Sequence, residues 1–300
     1  MASKSAVAVT TVVDGRAFLE CPRWRAGRLW VSDLYTREVL SIGESDDVRV
    51  EVTMDDQPSG LGWLPDGRLL IVSMVDGRIL VRDDANDPTS VSVHADVSAL
   101  ATGKLNDMTV DENGHAFIST FGFEFRSRSY VESAVLIHVA PDGSSRVAAD
   151  DLLFPNGSVI IGSPDDDVRT FVVAESMGNR LTAFDLDREG TLSRRRVWAA
   201  FGPEVPRTSV RDAMAASQVA PDGICLGEAG TIWVADALNQ RVIRVAEGGE
   251  ILDEKHFDTG VFACAVGGAN GDVLYGCAAP SSSEHQRRDT RDASLLATAI

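Results

Sequence analysis

Short apolar runs separated by glycine and acidic or amide residues recur along the whole chain. Trp30 to Asp33 is one such run, and Ile232 to Asp236, after a Gly-containing turn, is another. No segment keeps the 3.6-residue apolar period of an amphipathic helix, although residues 211–217 could form one helical turn. Short β-rich runs bounded by Gly, Asp and Asn indicate strands, so the pattern predicts an all-β protein.

The same unit repeats six times: a short strand, a tight turn, a second strand that ends in a small or acidic residue, and usually a third strand. Spacings of roughly 40 to 65 residues are typical of four-stranded blades with loop insertions. We therefore predict one domain over residues 1–300, a six-bladed β-propeller. An early strand over residues 7–13 is predicted to complete the last blade beside residues 294–300, which removes an exposed edge. Residues 281–292 are predicted to be a loop within that blade.

Four of the units begin with a carboxylate or an amide at an equivalent point, and a fifth carries the hydroxyl of Ser59 there. The four residues are Glu20, Asn106, Asn156 and Asp222. Side chains repeated at one position of a circular array converge on its centre, and oxygen donors of this kind suit a divalent cation. Oxygen donors without His or Cys favour Ca²⁺; Mg²⁺, Mn²⁺ and Fe²⁺ are alternatives, and Zn²⁺ is less favoured. The competing interpretation is that each residue caps its own turn.

Three Pro-Asp-Gly tripeptides show why position matters. Asp66 and Asp142 lie in turns between or after strands, where Asp caps the turn and Gly supplies positive φ. Asp222 instead precedes a strand that has its own hairpin turn further on, near Gly230. Asp222 is therefore predicted to stand at the start of an inner strand, as Asn156 does in Pro-Asn-Gly.

Composition narrows the class of partner. The formal charge is −17 over 300 residues, which argues against binding nucleic acid or an anionic membrane. An acidic surface also favours a neutral or cationic substrate. The four cysteines have no zinc-like spacing, and Cys225, Cys264 and Cys277 lie in apolar runs that indicate buried thiols. The first ten residues lack the apolar stretch of a secretory signal, so a cytoplasmic protein is expected.

Other chemistries find no support in the sequence. It contains no nucleophile elbow, phosphate-binding loop, dinucleotide fingerprint or His-Glu-x-x-His motif. The five histidines are scattered. A Ser-His-Asp triad stays open, because triads assemble in space and not in sequence, but no residue pattern indicates one.

At its strand starts the chain resembles the SMP-30/gluconolactonase/LRE-like family of six-bladed propellers. Five short motifs occur in the family's order from residue 20 to about 280. They are Glu20-Cys21-Pro22-Arg23-Trp24, Pro58-Ser59-Gly60-Leu61-Gly62, Asn106-Asp107-Met108, Phe154-Pro155-Asn156-Gly157 and Pro221-Asp222-Gly223-Ile224. Each motif is short, but the ordered set is specific.

The resemblance implies a metal held by Glu20, Asn156 and Asp222, with Asn106 as a fourth ligand or a substrate contact. It also implies that Asp222 assists attack as a catalytic base. Lys104 stands where several sugar lactonases have Arg, and Glu124 lies near a substrate-facing acid, so both are predicted to orient the substrate. Cys21 stands where many members have Gly. The Lys104 difference argues against gluconolactone itself.

The leading hypothesis is hydrolysis of a lactone, with a divalent metal polarising the carbonyl and Asp222 assisting the attacking water. Two alternatives stay open: aryl-ester or phosphotriester hydrolysis in the same pocket, and a non-catalytic propeller in which the ion only holds the blades together. The aromatic run from Thr120 to Phe125 is predicted to be either loop packing or an apolar wall for a substrate less polar than a sugar lactone.

Overall fold

The computed structural model describes residues 8–43, 47–126 and 129–300. It contains six antiparallel four-stranded sheets, which are the blades of a six-bladed β-propeller. The predicted all-β class and blade number are confirmed. In blades 1 to 3 the strands are β2 (Leu19–Arg25), β3 (Arg28–Asp33), β4 (Glu38–Ile42) and β5 (Val48–Thr53); β6 (Pro58–Trp63), β7 (Leu69–Ser73), β8 (Arg78–Arg82) and β9 (Val91–Asp96); and β10 (Leu105–Val110), β11 (Ala116–Thr120), β12 (Ala134–Val139) and β13 (Ser145–Leu152).

Blades 4 and 5 repeat this order, and blade 6 takes one strand from the other end of the chain. The strands are β14 (Pro155–Ile161), β15 (Val168–Glu175), β16 (Arg180–Asp187) and β17 (Leu192–Ala200); β18 (Pro221–Leu226), β19 (Ile232–Asp236), β20 (Arg241–Val245) and β21 (Ile251–His256); and β22 (Gly260–Gly267), β23 (Val273–Ala279), β24 (Ala293–Ala299) and β1 (Thr10–Arg16).

The strand near the N-terminus closes the ring, as predicted. Strand β1 pairs antiparallel with β24, with Thr10 opposite Ala297 and Arg16 opposite Ala293. The strand is displaced from the predicted 7–13, and residue 7 lies outside the described residues. The first strand of each blade contacts the first strand of the next, and β22 contacts β2. Pairing of β1 gives β24 a partner on its outer side and leaves β1 as the outer strand of the blade.

Apolar side chains between adjacent blades form the core. One buried cluster joins Val172 and Trp198 of blade 4 to Ile232 and Ile243 of blade 5. The strands that contribute to this cluster contain alternating or continuous apolar residues, because both faces of a blade are covered by neighbouring blades. Buried Val, Ile, Leu and aromatic side chains of this kind supply the main favourable term in folding.

Two short helices lie in loops. Helix α1 (Val210–Ala216) corresponds to the single helical turn predicted at residues 211–217, and Ser209 caps it by accepting a hydrogen bond from the Asp212 backbone N–H. Helix α2 (Glu284–Arg287) lies within the predicted loop of blade 6. Among the described residues, neither helix has the length and hydropathy needed to cross a bilayer.

Candidate metal and substrate site at one end of the channel

Every first strand carries a β-bulge at the same point. In blade 3 the register against β11 shifts between Leu105 and Met108, and in blade 5 the register against β19 shifts between Pro221 and Ile224. The other four blades show an equivalent shift. A bulge inserts an extra residue and redirects side chains. The predicted oxygen donors lie at these bulges, which explains how residues spread over the chain reach one place.

Buried acids at the ends of the second strands hold three of these bulges in position. Each accepts a hydrogen bond from a backbone N–H two or three residues before the oxygen donor. The pairs are Asp33 with Phe18 at 3.1 Å, Glu175 with Leu153 at 2.8 Å, and Asp236 with Ala220 at 3.3 Å. These belong to blades 1, 4 and 5, which carry Glu20, Asn156 and Asp222. The acidic strand ends noted in the sequence therefore position the candidate ligands.

The structure joins Asn156 and Asp222 directly and brings Asn106 beside blade 4. The Asn156 amide donates to Asp222 Oδ1, and also to Ser176 Oγ at 3.3 Å. Ser176 in turn donates to the Pro221 carbonyl at 2.7 Å, which fixes the start of β18. The Asn106 amide nitrogen donates to the Pro155 carbonyl at 3.4 Å, which leaves its amide oxygen to accept or to bind a cation.

Glycine after the donor allows neighbouring strands to meet near the axis. A Cβ at Gly157 would lie 2.5 Å from the Ile224 backbone nitrogen, and a Cβ at Gly223 would lie 2.6 Å from the Ala263 Cα. Such distances are too short for any side chain, so packing requires the glycine of Pro-Asn-Gly and of Pro-Asp-Gly here. This close approach brings Asn156 within hydrogen-bonding distance of Asp222.

Glu20 and Asp222 perturb each other electrostatically. Burial raises the pKa of Glu20 well above its ordinary value, and the nearby Asp222 and Asp107 raise it further. Burial also raises the pKa of Asp222, with a further contribution from Asp107, while the hydrogen bond from Asn156 lowers it. Two carboxylates removed from water beside each other are costly to ionise together, and a cation between them would relieve that cost.

Sequence reasoning missed an ion pair next to this centre. Asp107 is almost fully buried, and Arg23 Nη2 binds its Oδ1 at 2.6 Å. The same nitrogen donates to the Met108 carbonyl at 2.8 Å. Asp107 follows Asn106 at the position where blades 2, 4 and 5 have Gly60, Gly157 and Gly223. The acid at a position where other blades have glycine is the sequence signal that could have indicated this ion pair.

The donor set fits a hard divalent cation. Among residues 8–43, 47–126 and 129–300, no three His, Cys, Asp or Glu side chains are grouped so that they could hold a metal. A centre here therefore combines two carboxylates, Glu20 and Asp222, with the amide oxygens of Asn106 and Asn156. Carboxylate and amide oxygens are the ligands that Ca²⁺ takes, and Mg²⁺ is also compatible with them. The sixth blade has Val261 at the equivalent point and contributes no oxygen.

The two predicted substrate contacts have partners of their own. Lys104 lies just before β10, and its ammonium binds Glu284 Oε2 of helix α2 at 2.9 Å. Glu124 lies in the loop after β11, is exposed, and pairs with Arg126 at 2.5 Å. Their roles toward a substrate stay predictions. Lys104 is at the same end of the channel as Asn106, two residues before it.

Apolar side chains close to the oxygen donors pack together, and we call them the apolar collar. We define it as Phe18, Tyr35, Met74, Phe121, Phe154 and Phe262. Phe18 packs on Phe262 with ring centroids 5.1 Å apart, and Phe121 packs on Phe154 at 4.6 Å. Phe121 is half-buried and contacts both the cluster around Phe18 and the cluster around Phe154. Phe123 is buried in loop packing, as one interpretation of the aromatic run predicts, and the role of the run as a wall for a substrate stays a prediction.

Fold and site together define a six-bladed propeller with carboxylates and amides collected at one end of its central channel. The sequence profile described as the SMP-30/gluconolactonase/LRE-like region matches residues 18–279. The chain therefore belongs to this family, as the motifs predicted.

Three relatives illustrate the similarity. Regucalcin of Danio rerio is 28% identical over 189 residues, a match that covers 62% of this chain and only 58% of the relative. The solved structure of a calcium-binding protein, regucalcin, from Agrobacterium tumefaciens aligns with a TM-score of 0.75 at 20% identity, covering 100% of this chain and 97% of the other. A gluconolactonase from Xanthomonas campestris aligns with a TM-score of 0.70 at 22% identity, covering 97% and 89%. Identities at this level support the fold.

Proposed function

We propose that this protein is a metal-dependent hydrolase that opens a lactone ring. The observation that carries the proposal is the meeting of Glu20 and Asp222, with the amides of Asn106 and Asn156, at equivalent bulges beside an apolar collar. Family membership supports it, since one similar structure is described as a gluconolactonase and another as a calcium-binding protein.

Glu20, Asn156 and Asp222 would hold the divalent cation, with Asn106 as a fourth ligand or a substrate contact. Ca²⁺ is the ion this donor set favours, while Mg²⁺, Mn²⁺, Fe²⁺ and Zn²⁺ are alternatives. When bound, such a cation supplies Lewis-acid polarisation of the lactone carbonyl and compensates the developing oxyanion.

Asp222 is the proposed base. One of its oxygens accepts from Asn156, and among the described residues the other has no recorded hydrogen-bond donor. That second oxygen can accept a proton from water as the water adds to the carbonyl. Ser176 keeps this geometry by binding both Asn156 and the carbonyl just before Asp222. The ring oxygen then leaves as the C–O bond breaks and takes up a proton, which gives a hydroxy acid.

The surroundings favour a lactone that carries an apolar substituent. Phe121 is half-buried and packs on the buried Phe154, so it can offer part of its ring to a substrate, and the net charge of −17 disfavours anionic substrates. Lys104 and Glu124 are the proposed polar contacts that orient the ring. Lys104 would have to exchange its partner Glu284 for the substrate or bind both.

Chelation is expected to abolish lactone hydrolysis, and Ca²⁺ is expected to restore it and to raise the melting temperature. An ion that binds only the folded protein, at about 100 times its Kd, stabilises by about 2.7 kcal/mol. Calorimetric melting with and without Ca²⁺ measures this, and Glu20→Gln should lose most of the shift. The matched control is Glu228→Gln, an exposed acid on the hairpin turn of blade 5.

The same measurements separate the alternatives. Turnover that continues unchanged after chelation would exclude the proposed role of the metal. A large Ca²⁺-dependent rise in melting temperature without turnover of any lactone or ester would favour the non-catalytic propeller. Preferential turnover of aryl esters or phosphotriesters would redirect the assignment to that chemistry in the same pocket.

Phe121→Ala is expected to reduce discrimination in favour of alkyl-substituted lactones. Removing one ring from the collar should lower kcat/KM for a lactone with an alkyl chain about tenfold relative to the unsubstituted ring, because apolar contacts of this size are worth about 1–3 kcal/mol. The ratio of the two kcat/KM values is the measurement, so loss of folded protein cancels. An equal fall for both substrates would show that Phe121 contributes to folding and not to selectivity.

A further inference from the structure

The opposite end of the central channel holds a cavity that the proposed hydrolase does not use. Its volume is about 680 Å³, within the range of 300–1,000 Å³ typical of small-molecule sites. The final residues of all six first strands line it, from Pro22 to Arg25 in blade 1 to Ala265 and Val266 in blade 6. None of the four oxygen donors is among the lining residues, so this is a separate site.

The Arg23–Asp107 ion pair separates the cavity from the carboxylate centre. Arg23 lines the cavity, and its guanidinium reaches Asp107, whose charge acts on both Glu20 and Asp222. Arg23 also donates to the carbonyls of Pro22 and Met108, which fixes it across the channel. A molecule in the cavity therefore faces a polar floor and not the open channel.

Arg25 is exposed at the cavity and is the lining arginine without an ion pair among the described residues. Its guanidinium carbon lies 4.7 Å from the centroid of the Trp63 ring, and no carboxylate or carbonyl of the described residues binds it. The other two arginines of the lining are paired: Arg23 with Asp107, and Arg169 with Asp111 at 2.9 Å and with Glu112 at 2.5 Å. A guanidinium placed over an indole can still offer its N–H donors to a carboxylate.

Apolar surface lies next to this charge. Trp24 is half-buried and stacks on Tyr275 with ring centroids 5.8 Å apart, and it packs so closely on Gly267 that a Cβ there would lie 2.5 Å from the indole. Ile160, which is half-buried, adds a further apolar side chain to the lining. The rings are thus rigid, which lowers the entropy lost when a planar ligand packs against them.

We propose that this cavity binds a small organic monoanion, a carboxylate carried on an apolar aromatic ring. Arg25 binds the carboxylate, and the ring packs against Trp24 and Ile160. Glu112, about a third exposed at the rim, repels a second negative charge and so selects against polyanions such as nucleotides. Binding requires neither the metal nor catalysis, so it stands independently of the proposed hydrolase.

The test uses 2-naphthoate as the probe and isothermal titration calorimetry on the full chain. We expect binding of 2-naphthoate, with 2-naphthamide binding about tenfold more weakly because it lacks the charge that Arg25 pairs with. Arg25→Met should weaken 2-naphthoate binding by about tenfold or more. The matched control is Arg244→Met, which removes another arginine placed over a tryptophan, 5.7 Å from the Trp233 ring and outside the cavity.

Asp222→Asn provides the second control, since a probe bound in this cavity should keep its affinity in that variant. Melting temperatures of all variants show whether each is folded. The proposal is overturned by the absence of measurable heat at millimolar probe, by equal affinity for the acid and the amide, or by Arg25→Met binding as tightly as Arg244→Met. Loss of binding in Asp222→Asn would place the probe at the carboxylate end and overturn it as well.

Discussion

Asp222→Asn is expected to lower kcat/KM for lactone hydrolysis at least about 100-fold, because even partners that only orient metal ligands typically contribute 10- to 100-fold. The substitution preserves shape and lets the Asn156 amide still donate a hydrogen bond. It removes the negative charge that would hold the cation and the group that would accept the proton from water. Steady-state kinetics with saturating Ca²⁺ measure the loss.

The sequence offers a close control for this substitution. Asp66 belongs to a second copy of the Pro-Asp-Gly sequence, which lies in an exposed turn, and there it binds Arg68 at 2.8 Å. Asp66→Asn should leave kcat/KM within about twofold, since surface ion pairs contribute little. In chelator, Asp222→Asn should melt no lower than the unsubstituted protein, because it removes the half-buried carboxylate that raises the pKa of the half-buried Glu20. Retention of near-full activity by Asp222→Asn would end its assignment as ligand and base.

Arg23→Met is expected to lower the free energy of unfolding by about 3–5 kcal/mol, the usual cost of leaving one partner of a buried ion pair alone. Asp107 is 3% exposed in its side chain, so water cannot replace the lost guanidinium. Urea unfolding measures the change. The exposed pair Arg49–Asp47 provides the comparison, and Arg49→Met should cost no more than about 1 kcal/mol.

A second substitution distinguishes lost charge compensation from lost packing. The double variant Arg23→Met/Asp107→Asn removes both charges and should recover most of the stability that the single variant loses. If the double variant is as unstable as Arg23→Met alone, the arginine acts through packing of its stem and its bonds to backbone carbonyls. In that case the ion pair would not be the element that separates the two ends of the channel.

The sequence predicted the blades and the residues at their starts because both follow from repetition. A strand that begins with Pro-Asn-Gly or Pro-Asp-Gly and then has its own hairpin can be assigned without the rest of the chain. The structure confirms six blades and places Asn156 against Asp222. The bulge that aims these residues was not predicted, because a register shift depends on the partner strand and not on the local pattern.

Contacts between distant segments could not be predicted from the sequence, for a related reason. Lys104 precedes blade 3 and meets Glu284 of blade 6, 180 residues away, although these two blades are not neighbours in the ring, so the contact depends on how their loops are placed in the fold. Cys225 was predicted to be a buried thiol, yet it is half-buried where the cavity opens. Glu124 lies on a loop whose conformation follows from tertiary packing, so its relation to a substrate could not be derived.

The repeated bulges have a consequence for how this chemistry could change. All six first strands carry a bulge at the same point, but Ser59 and Val261 occupy two of these bulges without a carboxylate or an amide. In the proposed metal centre, an acid in place of Ser59 would add an oxygen donor beside Cys21, whereas an acid in place of Val261 would be buried in an apolar cluster at a large cost. If the centre binds a cation as proposed, one substitution at the bulge of blade 2 would change its coordination number, and so the metal that it favours.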